Sequence, residues 1–418
     1  MKKRFLRKFT SILLAITCAF ALCINSSAAD DSTDSSKITK NEAIKAALYH
    51  VVLLQKADPD SSWKGKKVKA SEIVEVYDAT DELHSYIINL TIDNEPAGFV
   101  EIGNNSEDFP VLSYSFEFSR MNSVDVNNFF TKSKNKNKDK KVKSKKVVII
   151  GPGNFGLKVD YDDNSADIVS IDGITNISDV DNKKKEKVAK QKNSDSKVIW
   201  GKIKKIPCGE IGTTTDGVTD SLAFESGYTG RIYGLVSGVA DLNQCYSTKW
   251  TGPSGCSPTS AYNVFYYWKF TKGKEYLIDT RDDTLLALRT AMGTYFNNVG
   301  SATLVENIGP GMVTVAKNRG YSTATQSAHN NPSWSTIKND IVGPSVITFW
   351  NQTYYCPDGA HSVTGVGNIE FFYNNSISSA GHQYLIIHDN WNSNFTPTNV
   401  YLAFGRNYDR IHSIKFGI

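Results

Sequence analysis

The chain has 418 residues, 40% apolar and 22% charged, a length for two or three domains of roughly 100–200 residues and the composition of a folded protein. Its net charge of +4 is segregated: residues 1–8 carry five basic groups, 131–146 nets +8, 181–199 nets +4, the rest of 30–180 nets −14, and 200–418 nets +1. Positive charge sits in tails and tethers, not on a folded face, which excludes a nucleic-acid role.

Residues 1–29 read as an export signal. A basic start (Lys2, Lys3, Arg4, Arg7, Lys8) precedes an apolar run from Ile12 to Ile24, and Ser27-Ala28-Ala29 supplies the small residues of a cleavage site. The run is shorter than the about 20 apolar residues of a membrane span. Thr17 and Leu22, just before Cys18 and Cys23, suit lipid attachment poorly. The protein is therefore expected to be secreted, extracellular or cell-wall associated, without stable membrane insertion. Signal removal leaves Cys208, Cys245, Cys256 and Cys356. They are too few for a disulfide scaffold and lack the paired C-x-x-C of a zinc site. If one is a free nucleophile, the other three form at most one disulfide.

After a polar leader, Ile38 to Gln55 has helical spacing at Ile44, Ala47, Leu48, Val51 and Val52. Thr39 and Glu42 form a capping box at its start. Alternating stretches at 73–77, 85–92, 97–102 and 110–118 read as a meander of strands, so 30–180 is expected to be a small α+β module. Within it, the lysine-rich segment 131–146 reads as a solvated tether. Strands are expected at 147–150, 157–161 and 168–171. A second lysine-rich linker covers 181–197, exposed to proteolytic processing or simply a spacer. The remaining 198–418 is the main domain.

Gly151-Pro-Gly-Asn-Phe-Gly156 matches G-x-G-x-x-G after a strand, with Asp172 downstream. A dinucleotide site also needs a helix from the third glycine. Leu157 to Tyr161 alternates like a strand instead, so no such cofactor is expected.

Thr251 to Phe270 (TGPSGCSPTSAYNVFYYWKF) carries the chemistry. Gly252, Pro253 and Gly255 make a turn, and Pro258 sits in a helix's first turn, where a missing N–H costs nothing. Ala261, Val264, Phe265 and Trp268 then recur at helical spacing. Cys256 is thereby placed at a helix N-terminus, where the dipole and unpaired N–H groups favour a thiolate. A thiolate nucleophile wants an imidazole partner. His361, opening the alternating His-Ser-Val-Thr-Gly-Val-Gly, has the best context, whereas His329, His382 and His388 read as surface or satisfied polar positions. Asp389 or Asn390, after the strand 384–388, can orient the ring, with Asp389 preferred and Trp391 shielding the bond. Gln244, twelve residues before Cys256, is the candidate oxyanion donor beside the Cys256 N–H, with Asn243 as its competitor.

At these residues the chain resembles the papain-like bacterial cysteine peptidases, above all the bacteriocin-processing peptidase-like branch (the C39-like peptidases), with streptopain as a cousin. Gly255-Cys256-Ser-Pro-Thr-Ser260 is similar to the branch's nucleophile motif and His361 to Gly367 to its histidine strand. Asp389-Asn-Trp391 resembles both the branch's acid position and the Asn-Trp pair of papain and streptopain. Gln244 matches the oxyanion glutamine in order, and 30–180 is similar to a streptopain-type propeptide. The resemblance implies a papain-like α+β catalytic domain behind an α+β propeptide. It also implies a thiol protease made as a zymogen, with no metal or cofactor, acting on protein or peptide substrates and held by its own propeptide. Two other readings stay open: a cell-wall muropeptide amidase or endopeptidase, and an inactive surface binding module.

Overall fold

The first helix starts where the Thr39–Glu42 pattern puts it. In α1 (Lys40–Ala57) the Glu42 N–H donates to Thr39 Oγ1 at 3.2 Å, and the Glu42 carboxylate accepts the Thr39 N–H at 2.9 Å. Ala43, Ala47, Leu48, Val51 and Leu54 are buried, packed on the meander that follows. Strands β1 (Val68–Tyr77), β2 (Leu83–Ile92), β3 (Glu95–Gly103) and β4 (Val111–Ser115) pair antiparallel in sequence order. Asp93 and Asn94, at φ 53° and 70°, make the tight β2–β3 turn, a conformation Asn and Asp adopt readily. The structure is a computed structural model. It describes residues 36–171, 173–176, 194–205, 228–244, 246–247, 249–297, 300–341, 343–350, 360–373, 383–391, 397–404 and 408–416.

The segment 131–146 is not a tether. Its first residues finish α2 (Ser123–Lys136), and its last ones begin β5 (Val142–Gly151). Helix α2 is started by Asn122, which accepts the N–H groups of Val124 and Asp125 at 2.9 and 3.0 Å. Its end is held by buried Ser133, 2.6 Å from the Tyr161 hydroxyl and 3.2 Å from Asp167. The lysines confuse composition with solvation. Two of them set their ammonium groups over aromatic rings, Lys132 over Phe129 and Lys145 over Phe130, a contact that aromatic faces favour for a cation. Strand β5 forms a hairpin with β6 (Asn154–Tyr161), followed by β7 (Ala166–Ser170) and β8 (Gly173–Asn176), and pairs parallel with β1.

The chain continues with α3 (Ser194–Ile203), so the last residues expected in the 181–197 linker are helical. Buried Ile199, Trp200 and Ile203 join the apolar cluster around α1, and the Trp200 indole donates to the Asp108 carbonyl at 2.9 Å. Strand β9 (Tyr228–Leu235) and the short hairpin β10 (Tyr246–Ser247) and β11 (Trp250–Pro253) lead to α4 (Cys256–Phe270). Then come α5 (Arg281–Ala291), the hairpin β12 (Tyr295–Asn297) and β13 (Gly300–Ala302), α6 (Ile308–Asn318), β14 (Thr325–Asn330) and α7 (Trp334–Asp340). Strands β15 (Ser345–Trp350), β16 (Ala360–Tyr373), β17 (Gln383–His388), β18 (Val400–Ala403) and β19 (Tyr408–Lys415) end the chain.

The architecture is mixed α+β, and Ile38–Ile418 is one compact unit. One sheet runs β14-β19-β15-β16-β17-β18-β4-β3-β2-β1-β5-β6-β7-β8, with β9 also on β16. The N-terminal and C-terminal strands of this sheet meet at β4 and β18, where Tyr401 pairs with Tyr114 and Leu402 with Ser113. The apolar interior is continuous there: Tyr114 stacks on Tyr401 at 4.5 Å and meets Tyr384 edge-on at 5.2 Å. Among the described residues, no helix is long and apolar enough to cross a membrane.

Candidate active site

Helix α4 packs on β15 and β16, which brings its first residue to the first turn of the β16 strand. Gly255 precedes it at φ 92°, a backbone that L side chains rarely adopt. A Cβ there would lie 3.1 Å from the Ser301 Cβ. Thr259 completes the turn, its N–H and hydroxyl both donating to the Gly255 carbonyl at 3.1 and 2.7 Å. Buried Arg289 donates to the Ser254 carbonyl at 2.6 Å. The turn is thus held from both sides, and Cys256 emerges half-buried at the helix start as a free thiol.

Around the Cys256 thiol stand His361, the Ser362 N–H and the Ser257 hydroxyl, the last 4.0 Å from Sγ. Burial is the largest influence on the thiol and opposes its ionisation. The His361 hydrogen bond and charge, with the two smaller bonds, outweigh it and bring the pKa from 9.0 down to about 7. Ser257 also bonds Ser362 at 2.8 Å, so the segments that carry Cys256 and His361 are tied by their neighbours.

His361 is 4% exposed, opposite Phe349 in the β15–β16 register. Its Nε2 accepts from the Trp391 indole N–H at 3.2 Å. The Asp389 carboxylate follows β17 and does not bond the imidazole. Its Oδ1 accepts the Trp391 N–H at 3.1 Å, and its Oδ2 accepts from Arg120 Nη2 at 2.6 Å. Arg120 comes from the N-terminal module, 269 residues away in sequence.

Asn390 faces elsewhere. Its amide donates to Ser260 Oγ at 2.7 Å and the Ser362 carbonyl at 2.9 Å, and its Oδ1 accepts from Asn263 Nδ2 at 3.2 Å. It ties α4 to β16 rather than orienting His361. Gln244 is brought close through its backbone: its N–H donates to the Asn390 carbonyl at 3.2 Å. The Leu242 N–H, two residues earlier, donates to Asn263 Oδ1 at 3.0 Å. The competitor Asn243 has a buried Oδ1 with no hydrogen-bond partner.

Of the other histidines, His388 is buried with Nδ1 2.9 Å from the Ala240 carbonyl. A carbonyl only accepts, so Nδ1 carries the proton. Burial lowers its pKa first, partly offset by that bond. His329 is a half-exposed partner of Asp340 on β14. His382 lies outside the described residues, as do Cys208, Cys245 and Cys356 and the disulfide expected among them.

The G-x-G-x-x-G stretch is the tip of the β5–β6 hairpin, with Gly151 paired to Asn154 across Pro152-Gly153. This tip rests on the site. A Cβ on Gly151 would stand 2.8 Å from His361 Cγ, and one on Gly153, at φ 68°, would lie 3.7 Å from the Asp389 Cβ. Sequence reasoning noticed these glycines but not their partner. Arg120 it missed altogether, since a lone arginine before a helix carries no local signal.

No model of a known protein family matches the chain, and no curated protein matches it. Among solved structures it is similar to a prointerpain A fragment of Prevotella intermedia carrying a cysteine-to-alanine change. The identity is 12% and the TM-score 0.35, over 84% of this chain and all of that one. That likeness is too slight to bear on the site.

Proposed function

We propose that the chain is a secreted cysteine peptidase with a papain-like catalytic region, made as a latent precursor. The observation that carries the reading is the Cys256 thiol at the start of α4, hydrogen-bonded to His361 and acidified to about 7. In the reaction, the Cys256 thiolate attacks a peptide carbonyl carbon and its electron pair forms the C–S bond. The oxyanion is met by the Cys256 N–H and the Gln244 side chain. Collapse expels the amine, which takes a proton from His361. Water then attacks the thioester with His361 as base, releasing the acid and the thiol. Asp389 orients the imidazole once Arg120 has left it.

Residues 30–180 serve as the cover, with cleavage in the lysine-rich 181–193 stretch as the trigger. The interface is not modest, as a loosely docked module would have it. It includes the β4–β18 pairing, the Tyr114–Tyr401 stack and the Arg231–Asp58 ion pair at 3.2 Å. The cut halves are therefore expected to co-elute on gel filtration straight after cutting, and turnover to rise only as the 30–180 part dissociates. Elution of two species straight after cutting would contradict this.

Gly151 tests the cover directly. A methyl group there overlaps His361 and must lift the hairpin or turn the ring. Gly151→Ala in the uncut chain should raise the rate of Cys256 labelling by a bulky epoxide-type peptidase inhibitor several-fold. An unchanged rate removes the hairpin from any covering role.

The peptidase reading itself is tested on chain cut at 181–193. Treatment with an epoxide-type cysteine-peptidase inhibitor should give one adduct, on Cys256, and abolish casein digestion. Clearing of cell walls without casein digestion would move the substrate to muropeptides. Absence of any adduct would make the chain a binding module.

A further inference from the structure

We propose, on the peptidase reading, that Arg120 is a positioning residue that disarms the site by holding Asp389 away from His361. The module then acts on the charge pattern of the catalytic groups as well as on access to them.

Arg120 is built for this task. Its N–H donates to Asn89 Oδ1 at 2.8 Å, and its carbonyl accepts from Asn89 Nδ2 at 3.0 Å. Asn89 is buried on β2, so the sheet clamps the backbone that aims the side chain. The guanidinium lies 4.2 Å from the Phe118 ring and 5.4 Å from the Phe99 ring. Aromatic faces favour a cation there and shield it from water. The Arg120 and Asp389 side chains are 14% and 5% exposed, where an ion pair is little screened.

The consequence falls on His361. An indole N–H only donates, so His361 Nε2 presents its lone pair to Trp391 and the ring proton sits on Nδ1. The imidazolium that pairs with the Cys256 thiolate carries a proton on Nε2 as well, and in the uncut chain that proton faces the Trp391 N–H with no acceptor. The Asp389 carboxylate is turned to other donors, Oδ1 to the Trp391 N–H and Oδ2 to Arg120. The other ionisable groups around this cluster do not replace it. Asp125 lies on the Arg120 side and bonds the Asn122 N–H, His388 is turned to Ala240, and Cys256 is the thiol itself. Withdrawing Arg120 frees Asp389 to accept the second ring proton, which favours the imidazolium and, through it, the thiolate.

The test uses the uncut chain and the pH dependence of Cys256 alkylation by iodoacetamide, a reagent small enough to need no open cleft. Arg120→Gln removes the charge. Arg120→Met does so while preserving packing against Phe99 and Phe118, and Arg120→Lys keeps the charge. The Gln and Met variants should shift the alkylation midpoint down by about one pH unit from wild type, roughly a tenfold faster reaction on the acid limb. The Lys variant should stay at the wild-type midpoint. A Gln or Met variant that melts like wild type and keeps the wild-type midpoint overturns the proposal. So does a shift of the same size in the Lys variant. The peptidase reading fails in a separable way, by absence of peptide turnover in cut chain while the midpoint shift persists.

Discussion

Cys256→Ala should abolish peptide hydrolysis, a loss on the order of 10^6 in kcat if the triad acts as a unit, and should leave the fold intact. The side chain is small and half-buried at a helix start. The turn around it is held by groups the substitution leaves in place, the Gly255 carbonyl with Thr259 and the Ser254 carbonyl with Arg289. The stability change should stay within about 1 kcal/mol. The wild-type thiol gives the matching pH signature. A pKa lowered to about 7 means the anion dominates above that value, so alkylation should rise through a midpoint near 7 instead of the ordinary 9.0. Turnover within tenfold of wild type in the alanine variant, or a midpoint near 9.0, would remove Cys256 as nucleophile. His361→Ala should approach the same loss, because without the imidazole the thiol loses its partner and the leaving amine its proton source.

The parts of the site that could be read ahead of the structure are those whose signal is local. Cys256 announced itself through Gly255, Pro258 and the apolar spacing beyond, all within one helix. His361 stood at the head of an alternating strand, and Thr39 with Glu42 marked α1 to within a residue or two. What could not be read lies in contacts between distant segments. Arg120 meets Asp389, Gly151 meets His361, and Tyr114 stacks on Tyr401, and no periodicity reports such pairs. The lysine-rich 131–146 stretch misled for a different reason. Composition counts charges but not the buried residues set among and just after them, Ser133 on α2 and Val147 and Ile149 on β5. Asn390 takes φ 66° and bonds across the α4–β16 seam, while Asp389 bonds the Trp391 N–H and Arg120, and no local pattern tells these two placements apart.

Asn390→Ala should therefore fail as a folded protein before it fails as a catalyst. The side chain is fully buried and serves both α4 and β16. The Ser260 hydroxyl and Ser362 carbonyl lose a donor, and the Asn263 amide loses an acceptor. Each buried group left unpaired costs about 1–3 kcal/mol. The left-handed backbone adds roughly 1 kcal/mol when Asn becomes Ala, since a Cβ without a local hydrogen bond disfavours it. Partial relaxation brings the expected total to about 3–5 kcal/mol, within the range for breaking a buried polar network. At roughly 2–4 °C per kcal/mol for a chain of this order of size, melting should fall by about 10 °C. Asn390→Asp should do no better, because a carboxylate cannot donate to Ser260 or to the Ser362 carbonyl. Asp389→Ala gives the contrast. It removes the proposed orienting carboxylate but no α4–β16 tie, so in cut chain freed of residues 30–180, where Arg120 is gone, it should lower turnover with a smaller change in melting. The discriminating measurement is turnover of cut chain plotted against melting temperature for the two alanine variants. If Asn390→Ala loses turnover while melting like wild type, Asn390 acts on the chemistry, and the role of third member passes to it from Asp389.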